Sequence, residues 1–237
     1  MKNVFVAAVG AVVATVALAG NAQAAGLVNY NFENNNGAYP GLGKYKFLNE
    51  SQVSGWKTTD SHIEIWGDGF LGVDAGDGNY FAELNAKKAG SLFQEVSNID
   101  AGQRMGFSFM HRARKNTDVM NLAITDLGAD NKYGTNDDTV LFTKDYSATT
   151  AQWELNTSEN EESIMTLGNK IRFAYSAVST GSGSKSVGNF LDAANFGLAS
   201  EVTPDDKRDV PEPVSALAVL AIGAISVGGA FKKKQAQ

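Results

Sequence analysis

Short runs of β-branched and aromatic residues, each closed off by Gly, Asn, Asp or Ser, recur through the middle of this chain, and no stretch between them carries a sustained helical period. Nine such runs stand out, at 26–32, 62–66, 80–84, 91–96, 105–111, 120–125, 139–143, 170–178 and 190–198. Many short strands with turn signals between them and no long helix predict an all-β sandwich or barrel. Alternation is clearest from Met105 to Arg114. Phe107, Phe109, His111 and Ala113 share one face, while Ser108, Met110, Arg112 and Arg114 share the other, so one face of this strand turns to a core. With 43% hydrophobic residues, among them 13 Phe, 7 Tyr and 3 Trp, the chain has apolar surface enough to fill that core. Its 237 residues allow one domain or two small ones, and no internal repeat is visible.

Both ends read as targeting segments. Lys2 precedes an apolar run from Val4 to Gly20 and the small-residue pattern Ala22-Gln23-Ala24, so residues 1–24 are expected to be a signal peptide cut by signal peptidase after Ala24. The chain has no cysteine, which removes disulfides, thiolate metal sites and thiol nucleophiles from consideration. At the other end Val210-Pro211-Glu212-Pro213 precedes 18 uncharged residues, 214–231, and then Lys232-Lys233-Lys234 in a basic tail, 232–237. That span is adequate for a bilayer crossing, and the lysines place its end in the cytoplasm. Residues 201–209 are polar and charged and are expected to be a solvated linker.

The three-part terminus, Pro211-Glu212-Pro213, one apolar helix and a short basic tail, resembles the PEP-CTERM sorting signal of Gram-negative bacteria. The resemblance implies an exosortase as partner, a transient stay in the inner membrane, and delivery to the cell surface or an extracellular matrix and biofilm. The bare residues fit a plain C-terminal anchor as well.

Between the ends, residues 25–210 carry 16 basic and 25 acidic groups, a net charge of −9. Nucleic acid is excluded as a partner, because phosphate binding needs clustered Lys and Arg and this body has no basic stripe. Nucleophilic catalysis lacks its parts: the two histidines, His62 and His111, stand outside any nucleophile-elbow motif, and His111 reads as the end of a core strand. There is no phosphate-binding or dinucleotide glycine fingerprint. No catalytic residue is assigned, and if a carboxylate pair had to be named for glycoside hydrolysis it would be Glu64 with Glu83. Sugar recognition fits the composition better, since aromatic rings stack on pyranose faces while polar side chains hold hydroxyls. The candidates are Trp66, Tyr39, Tyr45 and Arg112, followed by Trp153 and Arg114; Trp56, beside Gly55, is expected in the core and the two tyrosines on exposed loops.

Three fragments, Asn29-Tyr30-Asn31-Phe32-Glu33, Gly55-Trp56 with Ile63-Glu64-Ile65-Trp66, and Asp77-Gly78-Asn79-Tyr80-Phe81-Ala82-Glu83-Leu84, together with a last strand from Phe190 to Leu198, resemble the galactose-binding-like jelly-roll domains that are akin to many carbohydrate-binding modules. The resemblance spans about residues 26–199 and implies a jelly-roll β-sandwich over 25–200. It also implies a buried structural calcium held by Glu33, Asp77 and Asp192, although Glu33 and Asp77 could equally cap turns. The segment from Asp126 to Asp138 gathers Asp126, Asp130, Asp137 and Asp138 around Gly134; it departs from EF-hand spacing but resembles short Asp-rich calcium loops of bacterial surface proteins, and a hydrated hairpin would use the same residues.

The expected protein is an exported, non-enzymatic, carbohydrate-binding or exopolysaccharide-binding domain, with a structural or adhesive matrix protein and a glycan-acting enzyme as alternatives. If Pro211-Glu212-Pro213 is the sorting element, its replacement by Ala-Ala-Ala should hold the full-length chain in the inner membrane, read by fractionation and C-terminal mass. Unchanged release and an unchanged C-terminus would rule out exosortase processing.

Overall fold

Which faces of the strands are apolar decides how this chain closes on itself, because each sheet must bury one face against the other. The computed structural model describes residues 26–199 apart from 35, 98, 159–163 and 169. The expected signal peptide, the 201–209 linker, Pro211, Glu212, Pro213 and the 214–231 run lie outside the described residues. Among those described, no helix is long and apolar enough to cross a membrane.

The strands are β1 (Tyr45–Leu48), β2 (Lys57–Thr58), β3 (Ile63–Gly67), β4 (Tyr80–Glu83), β5 (Ser91–Ser97), β6 (Arg104–Arg112), β7 (Thr117–Asp126), β8 (Thr139–Thr149), β9 (Glu154–Thr157), β10 (Ile164–Met165), β11 (Lys170–Ser179) and β12 (Phe190–Leu198). Among the described residues they form two antiparallel sheets. One has seven strands in the order β1-β3-β4-β12-β6-β10, with β9 beside β10 on the same edge of β6; the other has five, in the order β2-β5-β11-β7-β8. The chain repeatedly crosses from one sheet to the other, and the fold is an all-β jelly-roll sandwich.

Ile63, Ile65, Ala82, Phe107, Phe109, Leu191 and Phe196 of the seven-stranded sheet meet Leu92, Met120, Leu122, Ile124, Ile171, Phe173 and Tyr175 of the five-stranded sheet in one core. Ring contacts cross it: Phe109 lies 5.2 Å from Tyr175 and 5.0 Å from Tyr146, both edge to face, and Phe173 lies 4.8 Å from Phe196. The alternation expected for β6 is present, with Phe107, Phe109, His111 and Ala113 buried and Ser108, Met110 and Arg112 less so.

Eight of the nine expected runs are strands. The first, 26–32, is not: Asn29 and Phe32 take left-handed φ values of 53° and 58°, and Phe32 N–H donates to the Asn29 carbonyl, so this segment is a set of turns. It still ties the two sheets together. Gln94 of β5 exchanges two hydrogen bonds with the Val28 backbone, Ala194 N–H of β12 donates to the Tyr30 carbonyl, and Phe32 stacks on the buried Trp56 at 5.1 Å.

Candidate functional site

The outer face of the seven-stranded sheet carries a second apolar layer and, beside it, an open cleft. In β3 the period of two that sends Ile63 and Ile65 to the core sends Glu64 and Trp66 outward, and in β4 it turns Phe81 and Glu83 the same way. Register then makes neighbours: Trp66 opposes Phe81, and Glu64 opposes Glu83. Trp66, Phe81 and Phe190 form a buried cluster, covered by Phe70, Val73, Ala75 and Trp153. Trp153 is pinned there by its indole N–H, which donates to the Asp74 carbonyl at 2.9 Å.

Beyond that cover lies a cleft of about 360 Å³. Tyr45, Phe47 and Phe70 form its aromatic wall, Trp66 and Glu64 lie at its base, and Lys87 and Arg114 add positive charge. Tyr45 is 47% exposed, and its ring stacks on Phe70 at 5.2 Å and 27°. Lys87 Nζ stands 3.4 Å over the Phe47 ring, and the Arg114 guanidinium 4.7 Å over Trp66.

The base of the cleft holds two buried glutamates. Glu64 Oε1 accepts the Trp66 indole N–H at 2.9 Å, and Glu83 receives Arg114 Nη1 at 3.0 and 2.9 Å and the Gly188 N–H at 2.6 Å. Burial pushes the Glu64 carboxyl up to about 7. Burial, and then the Glu64 charge beside it, pushes Glu83 up to about 8. The two carboxyls face each other across the β3–β4 register, so each disfavours ionisation of the other.

A polar network behind the cleft fixes Arg114 and the 180–189 loop. Asp118, fully buried, accepts Arg114 N–H and Asn189 N–H on Oδ2 and Gly181 N–H on Oδ1, each at 2.8 Å. Asn189 Nδ2 donates to Asn85 and to the Ser179 carbonyl, which leaves its Oδ1 to accept from His111 Nε2–H at 3.0 Å. Burial lowers the His111 imidazole to about 4, so this ring is neutral with its proton on Nε2. Gly188 has φ +148°, and a Cβ there would lie 2.6 Å from Thr180 and 3.0 Å from Asp118 Oδ2; only glycine lets this backbone reach Glu83.

Of the residues expected to contact ligand, Trp66 and Tyr45 line the cleft, Tyr45 from β1 and not from a loop. Tyr39, expected on an exposed loop, is buried: its ring packs edge-on to Tyr80 at 5.3 Å, its hydroxyl accepts from Asn29, and burial pushes the phenol up to about 12. Arg112 lies outside the cleft and donates to the Thr150 carbonyl. Phe47, Phe70 and Lys87 were missed. The Tyr-x-Phe spacing at 45 and 47 was the available signal for Phe47, since it puts both rings on one face of a strand.

The three residues expected to hold calcium gather on one turn, 74–80. Asp192, fully buried on β12, accepts Gly76 N–H and Asp77 N–H on Oδ2, both at 2.9 Å, and Ala193 N–H on Oδ1. Among the described residues it has no cationic partner, and burial, together with the Asp77 charge, holds its carboxyl well above the usual range. Glu33 instead caps the turn, accepting Asn79 N–H at 2.6 Å and Tyr80 N–H at 2.8 Å. Among the described residues no three His, Asp or Glu side chains are arranged to hold a metal. Glu33 thus braces the backbone that follows Asp77, and Asp192 the backbone at Gly76 and Asp77. In the second expected calcium loop, Asp126 and Asp137 line one cavity, whereas Asp130 and Asp138 accept loop N–H groups.

No protein-family model matches the chain, and comparison with curated proteins gives no match. Solved structures are similar in fold. The C-terminal family 22 carbohydrate-binding module of Clostridium thermocellum Xyn10B is 13% identical with a TM-score of 0.45, over 70% of this chain and 99% of that one. A family 61 module solved with β-1,4-galactotriose is 14% identical, TM-score 0.38, over 73% and 97%. The K2 adhesin domain of Lys-gingipain is 14% identical, TM-score 0.42, over 65% and 100%.

The buried glutamates set a pH dependence whose sign can be worked out. Their folded-state values, about 7 and about 8, lie above the ordinary 4.5, so the native state holds more protons than the unfolded chain and stability falls as pH rises through that window. His111 acts oppositely, but only between about 4 and its ordinary 6.5. Between pH 6.5 and 8 the melting temperature should therefore fall, and Glu64→Gln should flatten the slope while keeping the Glu83–Arg114 pair. A melting temperature that stays level across this range in the unmodified protein would contradict the buried pair.

Proposed function

We propose that the chain is an exported, non-catalytic carbohydrate-binding domain that takes a polysaccharide segment in the cleft beside Tyr45. The observation that carries this is the combination of an exposed Tyr45 ring backed by Phe70 with Glu64, Lys87 and Arg114 within one open depression. An aromatic plate stacks on a sugar face, and the charged groups offer donors and acceptors to its hydroxyls. Hydrolysis is disfavoured by the same geometry. The general acid and the base or nucleophile must flank a scissile bond about 5 to 9.5 Å apart, whereas Glu64 and Glu83 are directly opposed on neighbouring strands, buried, and already engaged by Trp66 and by Arg114 and Gly188. The modules similar in fold were solved with or named for xylan and β-1,4-galactotriose, which makes these reasonable first ligands to test; the proposal itself rests on the cleft.

Export through the signal peptide and exosortase-directed sorting to the surface or matrix belong to the same proposal, supported by the order of motifs at the two ends of the sequence. Calcium held by Asp77 and Asp192 is its third element: it would supply the positive charge that the buried Asp192 carboxyl lacks and tie β12 to the 74–80 turn.

Affinity electrophoresis and calorimetry with xylan, galactan and bacterial exopolysaccharides test the ligand. Tyr45→Ala should weaken binding at least about tenfold, ~1.4 kcal/mol, while leaving the melting temperature close to that of the unmodified protein. Equal binding by Tyr45→Ala would remove the cleft from the account, and no binding to any glycan would favour a structural role in the matrix.

For the metal, calcium should raise the melting temperature over that in chelator, by mass action of a ligand that binds only the folded state. Asp192→Asn should shrink that rise. A rise of unchanged size in Asp192→Asn would place any calcium elsewhere.

A further inference from the structure

The end of the β7–β8 hairpin contains an unanswered carboxylate. Asp126 closes β7 and is 4% exposed; its Oδ1 accepts the Gly128 N–H at 2.9 Å, but Oδ2 is buried and has no hydrogen-bond partner. Leaving such an oxygen unpartnered is costly, so a partner that enters from outside the chain is favoured there. The carboxylate faces a cavity of about 400 Å³ that Asp137, Asn131, Thr139 and Gly168 also line. Gly168 keeps it open: a Cβ at that position would lie 3.1 Å from Oδ2 and 3.2 Å from Oδ1.

Asp137 comes from the far side of the hairpin and adjoins Gly128 on the same wall. Its Oδ1 accepts the Thr135 hydroxyl at 2.7 Å and its Oδ2 the Asp130 N–H at 3.1 Å, bonds that favour the ionised form. Asp130 and Asp138 shape the loop instead, Asp130 through Lys132 N–H and Asp138 through Gly134 N–H at 2.7 Å.

We propose that this cavity is a calcium site, with Asp126 Oδ2 and Asp137 as its charged ligands and Asn131 and Thr139 as neutral oxygen donors. Every donor is an oxygen on a loop that can adjust, which suits calcium better than the smaller and stricter magnesium. Two carboxylates make a weak site, in the range of about 10⁻⁴ to 10⁻³ M found in extracellular modules. Such a site would be filled outside the cell and empty inside it. It is separate from the Asp77 and Asp192 pair, and the two can be tested apart.

The experiment is calorimetric titration of the full chain, stripped with chelator, with calcium chloride alone. Asp137→Asn and Asp126→Asn should each abolish one binding event or weaken it at least tenfold, while Asp192→Asn retains it. Terbium luminescence provides a second reading, because Tyr133 in the same loop is 57% exposed and can sensitise a nearby ion; that emission should drop in Asp137→Asn even if Asp126→Asn fails to fold. If Asp137→Asn folds normally and binds calcium with the same number and affinity, or if the unmodified protein binds none up to about 10 mM, the site does not exist and water answers Asp126.

Discussion

Two acids opposed across β3 and β4 set the terms for the outer face of this sandwich. Glu64 and Glu83 are buried side by side, which raises both carboxyls, and the cation that offsets part of this cost is Arg114, which bonds both oxygens of Glu83. Arg114 can be there only because Asp118 holds its backbone, and Asp118 in turn needs the N–H groups of Gly181 and Asn189. Satisfying one buried pair thus orders the 180–189 loop, fixes the His111 tautomer through Asn189, and leaves the guanidinium over Trp66. The cleft is what remains open at the front of that network.

The same face explains how a cysteine-free domain can keep an open cleft without weakening its core. Most of the aromatic side chains on the outer side are packed away: Trp66, Phe81 and Phe190 are nearly inaccessible beneath Phe70 and Trp153. Of the cleft's aromatic wall Tyr45 is the most exposed ring, standing on a strand at the sheet edge where Phe70 backs it. A ring held rigid in this way loses little freedom when it meets a ligand.

Much of the fold was legible in the sequence because alternation and turn residues report directly on half-buried strands. The face assignments of β6 from Phe107 to Ala113 followed from a period of two alone. Segment 26–32 misled because its aromatic and apolar composition suits a strand, while its conformation is decided by Asn29 and Phe32 in left-handed φ and by tertiary bonds to Gln94 and Ala194. Of the strands of two to four residues, β1, β2, β9 and β10 carry too few positions for a period to show, whereas β4 stood out by its Tyr80-Phe81 pair between turn residues. The site was harder to read. Glu64 and Glu83 could be named as a pair, but only the β3–β4 register reveals that they touch, and only the burial of Tyr39 separates it from Tyr45. Lys87 and Phe70 lie on turns whose placement depends on contacts far apart in sequence.

The most direct test of the account is the indole region of a ¹⁵N correlation spectrum recorded during titration with a bound oligosaccharide. The chain has three tryptophans, and they report on three places: Trp56 in the core, Trp153 on the cover of the outer face, and Trp66 at the base of the cleft with its indole N–H on Glu64. Binding beside Tyr45 predicts that the Trp66 indole signal moves with saturation while that of Trp56 stays in place. A spectrum in which saturating glycan leaves Trp66 unmoved, or shifts only residues of the five-stranded sheet, would contradict it.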